Sequence, residues 1–150
     1  NSLDAFSVSE PEPEAESIRR AMLGAILDAG LTPKDIDAVS AHGTSTAKND
    51  PCEARAISRI FADVYPSVSI MATKSIIGHL ISAAGAVETI AALICMKQQK
   101  LHPTLNLVHP DTDCRLNHVV RQSSSLKLNH ILKNSFGFGG QNACLILSHG

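Results

Sequence analysis

The run Ile36-Asp37-Ala38-Val39-Ser40-Ala41 ends on His42-Gly43-Thr44-Ser45-Thr46, and the run Val68-Ser69-Ile70-Met71 leads into Lys74-Ser75-Ile76-Ile77-Gly78-His79-Leu80. The first follows the turn signal Thr32-Pro33 and has strand length, so it reads as a short strand delivering His42 at its C-terminal end. The second reads as another buried strand, followed by a loop that carries Lys74 and His79. Reactive groups in α/β folds gather at such strand exits.

Helical patterns surround the two strands. From about Glu14, Ile18, Ala21, Met22, Ala25 and Ile26 recur at helical spacing, and Gly30 stands where a C-terminal cap belongs. Asp50-Pro51-Cys52-Glu53 combines an N-cap acid, proline at the first helical position and glutamate at the third, which predicts a helix from there to about Phe61. Between His79 and Lys97 the sequence leaves almost no polar face, so a helix buried on most sides is expected. Its length approaches that of a membrane span, but Glu88 near its middle argues for a core helix instead. The Val8–Glu16 stretch, with Pro11 and Pro13, reads as a loop, and Leu101–Leu128, with Pro103 and Pro110, as mostly loop with short strands. Ile131–Phe136 and Ala143–Leu147 read as paired strands joined by the turn Gly137-Phe138-Gly139-Gly140. Interleaved helices and strands indicate an α/β layered fold, without internal repeats or low-complexity tracts.

With 150 residues and 44% hydrophobic content, residues 1–150 suit one domain with a sizeable core. A formal net charge of −1, with scattered Lys and Arg, gives no footprint for nucleic acid or for a membrane surface. The chain opens on Asn1 rather than Met and shows no charged-apolar-cleavage pattern, so the expectation is a piece of a longer chain without a visible signal peptide. Cys52, Cys95, Cys114 and Cys144 form no CxxC pair and no close metal-ligand spacing, which suggests a reduced, cytoplasmic setting and no metal site.

Several residues are candidates for chemistry. His42, with Gly43 beside it, can present an imidazole N–H to a developing oxyanion; taken alone, it reads first as a histidine that fixes a turn, and the flanking motifs reverse that preference. His79 alone can serve orphan backbone groups at a helix start. Glu88, in an apolar helix, needs a partner. The hydroxyls of Thr44 and Thr46 can bond the amides of a flexible substrate arm, although such a run is also ordinary turn chemistry. Gly137-Phe138-Gly139-Gly140 is not a phosphate cradle, because neither a strand-loop-helix context nor GKS or GKT accompanies it. Cys52, at a helix N-terminus, is the one thiol expected to have a lowered pKa; Cys95 and Cys144 read as small hydrophobes.

Ala41-His42-Gly43-Thr44-Ser45-Thr46, Lys74-Ser75-Ile76-Ile77-Gly78-His79-Leu80 and Asn134-Ser135-Phe136-Gly137-Phe138-Gly139-Gly140, in this order and spacing, resemble the C-terminal half of a β-ketoacyl synthase from about Asp4 to Leu147. The resemblance implies a thiolase-like fold of two similar halves, each a mixed five-stranded sheet covered by helices, with this chain as the second half. It implies decarboxylative condensation of acyl and malonyl thioesters in fatty acid or polyketide synthesis. His42 and His79 would hold the enolate, and Lys74 would pair with Glu88. Thr44 and Thr46 would bind the phosphopantetheine of an acyl carrier protein. Phe138 would lend a backbone N–H to the acyl oxyanion and gate the acyl pocket with its ring, flanked by Gly137 and Gly139. No metal, nucleotide or other cofactor is implied. The implied partners are the acyl carrier protein, an N-terminal half bearing the nucleophilic cysteine, and a second subunit of a dimer. Ser82 departs from the pattern, where glycine is frequent. Two other readings stand beside this one: a non-catalytic condensing-enzyme partner of the chain-length-factor kind, and a structural or binding module that uses the half-fold without chemistry.

Overall fold

The computed structural model describes residues 1–64, 67–121 and 126–150. Strands β1 (Ser2–Leu3), β2 (Ala38–Ser40), β3 (Ser69–Met71), β4 (His130–Gly137) and β5 (Gln141–Ser148) form one mixed sheet in the order β1-β5-β4-β2-β3. β2 runs parallel to both β3 and β4, whereas β5 pairs antiparallel with β4 and with β1. The helices are α1 (Glu16–Asp28), α2 (Asn49–Ile60), α3 (Lys74–Ile77) and α4 (Ala84–Gln98). β1 is two residues long, too short for any alternation to announce it in the sequence.

Strand side chains alternate between faces, and the core divides accordingly. Val39, Leu132 and Cys144 turn towards α1 and α2, where Ile18, Met22, Ile57 and Phe61 meet them. Ala38, Met71 and Ile131 turn the other way, towards Ala92, Cys95 and Met96 of α4. Helices thus cover both faces of the sheet.

The periodic helix before β2 ends as its sequence suggests. Leu31 N–H bonds Ile26 O at 3.0 Å and Gly30 N–H bonds Leu27 O at 2.9 Å, a Schellman closure. α2 starts at Asn49, one residue before the expected cap, and Glu53 makes no capping box. Its carboxylate leaves the helix start for longer-range N–H partners, described below. Lys74 lies in the four-residue helix α3 rather than in a loop. Between 101 and 128 the chain is mostly irregular, with a turn at Thr112–Cys114 and a bridge from Ile70 to His118; positions 122–125 of this expected loop lie outside the described residues.

α4 departs most from expectation. It begins at Ala84, after a turn at Ile81–Ala83, and not at His79. It is also not buried on most sides: Ala84, Glu88, Ala92, Cys95 and Met96 face the sheet, while Ile90, Leu93 and Ile94 remain 57%, 46% and 51% exposed. One sheet can cover only one side of a helix, and no second layer lies over the outer side among the described residues. By length and composition Ile81–Gln98 could cross a membrane. However, Glu88 fastens the helix to the domain through ion pairs with Lys74 and Lys133, which is incompatible with a free span.

The β4–β5 turn is where backbone conformation matters most. Gly140 has φ +72°, and a Cβ there would stand 2.1 Å from the Asp4 carbonyl oxygen. Asp4 N–H bonds Gly140 O at 3.0 Å, so this approach holds the N-terminal segment to the turn. Gly140→Ala is therefore expected to cost about 3 kcal/mol or more in urea unfolding, against about 1 kcal/mol for Gly30→Ala, whose positive φ carries no clash. Equal losses would contradict the contact.

Candidate active site

His42 lies two residues beyond β2 and is 7% exposed. Its backbone is fixed by Glu53 of α2, a 3% exposed carboxylate. Glu53 Oε1 accepts the His42 N–H at 2.9 Å and the Asn134 side-chain amide at 2.9 Å. Oε2 accepts the Gly43 N–H at 2.9 Å and the Asn49 amide at 3.4 Å. Four N–H donors thus surround one buried carboxylate, satisfying a group that would otherwise be costly to bury.

The other side of His42 is fixed by Lys74. Its ammonium donates to His42 O at 2.7 Å and to His42 Nδ1 at 3.2 Å, and pairs with Glu88 Oε1 at 2.6 Å. Lys133 of β4 pairs with Glu88 Oε2 at 2.8 Å and also donates to Asn134 O. Burial, followed by the charges of Lys74, Lys133 and His79, pushes the His42 pKa down to about 3. Its imidazole is neutral at any physiological pH. Burial also lowers the Lys133 pKa, against the raising effect of Glu88.

These contacts assign the ring protons. An ammonium can only donate, so His42 Nδ1 is an acceptor and the neutral ring carries its hydrogen on Nε2. At His79 the Ile81 N–H donates to Nδ1 at 3.0 Å, which selects the same tautomer of the neutral ring. Ile81 itself holds φ +51°, a left-handed conformation that costs a β-branched residue about 1–2 kcal/mol. The two imidazoles stand edge to face with centroids 5.9 Å apart, and Phe136 packs on His42 at 5.5 Å.

Both histidines line a cleft of about 650 Å³ together with Thr44, Thr46, Gly137 and Phe138. The hydroxyls of Thr44 and Thr46 lie 3.0 Å apart. Phe138 is 79% exposed, and its side chain stands at the cleft border. Gly139 does not line the cleft; its N–H is committed to Val8 O at 2.7 Å. Lys74 and Glu88 sit behind His42 and not in the opening. A smaller cavity of about 450 Å³, bounded by the 104–118 segment, contains neither histidine.

The expectation for Cys52 is corrected. It is 8% exposed, and burial raises its pKa despite its place in the first turn of α2. Burial likewise raises Cys95, takes Cys114 to about 11 and Cys144 to about 12. No cysteine lines the histidine cleft. Glu53, Asn134 and Lys133 were not anticipated as site residues. The visible trace was Lys133-Asn134, a polar pair directly after the apolar Ile131-Leu132 in the buried middle of a strand.

Solved structures that superpose on this fold include ketosynthases. The chain superposes with a TM-score of 0.94, at 30% identity, on a type II polyketide synthase structure described as an acyl carrier protein in complex with its ketosynthase bound to the hexaketide; it covers 99% of this chain and 36% of the other. The ishigamide ketosynthase/chain length factor gives a TM-score of 0.92 at 35% identity, with the same coverage. The fold is therefore thiolase-like. Residues 1–108 match the family model for the beta-ketoacyl synthase C-terminal domain, and the chain belongs to the β-ketoacyl synthase family. It is 41% identical over 145 residues to 3-oxoacyl-(acyl-carrier-protein) synthase 2 of Coxiella burnetii, covering 97% of this chain and 35% of that protein. It is 40% identical over 143 residues to the enzyme of the same name from Staphylococcus aureus, covering 95% and 36%. The chain thus spans about a third of the length of these relatives.

His42 is expected not to titrate between pH 8 and about 4 when its ring protons are followed by NMR in the full-length protein. Lys74→Met should move its protonation upward but not to the ordinary value, because burial, the larger cause, remains. Protonation of wild-type His42 near pH 6.5 would contradict the assignment.

Proposed function

We propose that this chain is the C-terminal half of a β-ketoacyl synthase that condenses a carrier-bound acyl group with a malonyl thioester. The observation that supports this most is the matched tautomer pair: both Nδ1 atoms are occupied by donors, leaving both Nε2–H groups for one ligand oxygen. Loss of carbon dioxide from the malonyl group breaks a C–C bond whose electron pair delocalises onto the thioester oxygen. His42 and His79 donate to that oxyanion in the cleft. The carbanion then attacks the acyl carbonyl held on a cysteine thioester, a new C–C bond forms, and the thiolate leaves.

The nucleophile comes from the half of the synthase outside this chain, since no cysteine lines the cleft. The same half covers the exposed apolar side of α4. Thr44 and Thr46 contact the phosphopantetheine arm of the acyl carrier protein, and Phe138 and Gly137 border the acyl group. Gly139 acts by holding the turn against Val8. The reaction asks for no cofactor beyond the carrier's arm, and the complete enzyme works as a cytoplasmic dimer. Retention of both histidines disfavours a non-catalytic chain-length-factor role.

In the full-length enzyme, His42→Ala or His79→Ala is expected to slow carbon dioxide release from malonyl thioester by about a hundredfold or more while acylation of the cysteine falls far less. Radiolabelled acyl-enzyme yield and carbon dioxide release separate the steps, and loss of acylation alone would refute these roles. Purified by itself, the 150-residue chain should show no condensation. Turnover by it would end the proposal.

A further inference from the structure

Lys133 is a lysine 2% exposed in the middle of a central strand, and nothing about holding the sheet together calls for an ammonium there. What it touches is Glu88, whose second oxygen would otherwise be a buried, unpaired acceptor. Glu88 has two oxygens and receives one lysine on each: Lys74 on Oε1 at 2.6 Å and Lys133 on Oε2 at 2.8 Å. Lys74 has three N–H bonds to give, and all three have takers: Glu88, His42 O and His42 Nδ1. The Nδ1 contact, at 3.2 Å, is the longest of the three and the one that sets the tautomer.

We propose that Lys133 is a positioning residue of the condensation: by occupying Glu88 from β4 it prevents the carboxylate from drawing Lys74 off His42, and so keeps the His42 Nε2–H aimed into the cleft. This rests on the function proposed above. Without Lys133, both Glu88 oxygens compete for the Lys74 donors, and the weakest contact, that to Nδ1, is lost first. A ring freed at Nδ1 can place its hydrogen there, leaving Nε2 as an acceptor that repels the enolate oxygen instead of binding it. Lys133 also leaves the buried trio of two lysines and one glutamate with one net positive charge behind the ring. That charge favours a developing anion in a low-dielectric site.

The test uses the full-length enzyme with Lys133→Met and Lys133→Ala, acylation of the cysteine serving as the measure of an intact fold. Lys133→Met is expected to lower kcat for malonyl decarboxylation by about tenfold or more, with KM unchanged within about twofold. The ¹⁵N shifts of His42 should show Nδ1–H appearing. Lys133→Ala should be equally slow and regain activity with added propylammonium but not with propanol, which fills the same space without the charge. Where Lys133→Met does not fold, Lys133→Gln carries the same comparison. Decarboxylation within about twofold of wild type, an unchanged His42 tautomer, or equal rescue by propanol would overturn the role given to Lys133. Failure of the parent function reads differently: His42→Ala would then leave decarboxylation intact whatever Lys133 does.

Discussion

The alternation of β4 governs the site. Consecutive residues of a strand point to opposite faces, so Lys133 reaches Glu88 on the α4 side while Asn134 reaches Glu53 on the α2 side. Each glutamate then holds His42 from its own direction: Glu53 grips the backbone N–H, and Glu88 acts through Lys74 on the carbonyl and ring. Two buried carboxylates, one on each face of the sheet, therefore act on a single histidine residue, one through its backbone and one through Lys74. A one-residue slip of β4 would exchange these partners and undo both anchors together.

Such an arrangement is not a stability device. Buried ion pairs recover their desolvation only when geometry and additional bonds are good, and hydrophobic replacements often do as well. What they supply here is orientation. Glu53 is saturated by four N–H donors, and Lys74 gives all its hydrogens to named acceptors, so His42 has little freedom to rotate. Burial and the two ammoniums keep its ring neutral, and a neutral ring is what donation from Nε2 with acceptance at Nδ1 requires. At His79 the Ile81 N–H occupies Nδ1 in the same way.

Much of this was legible where the signal is local. Helical spacing and the Gly30 closure located α1, and apolar runs located β2, β3, β4 and β5 with the turn between the last two. The motifs also brought His42, His79, Thr44, Thr46 and Phe138 to attention, and all five line one cleft. Glu53 was misread because glutamate at the third position of a helix is also a cap signal, while its true partners lie 11 and 81 residues away. α4 carries a related ambiguity: an all-round apolar helix signals burial but does not say which chain segment provides it. Lys133 lacked a motif altogether, since its meaning depends on Glu88, which faces it across the sheet–helix boundary.

Buried charges at His42 and a backbone N–H at His79 occupy the two Nδ1 atoms and leave both rings as Nε2–H donors. Neutron diffraction from crystals of the full-length protein at neutral pH reads those protons directly. The account predicts deuterium on Nε2 of His42 and His79, none on either Nδ1, and a bare Glu88 carboxylate between two ammonium groups. Deuterium on His42 Nδ1, or a protonated Glu88 between neutral amines, would contradict it.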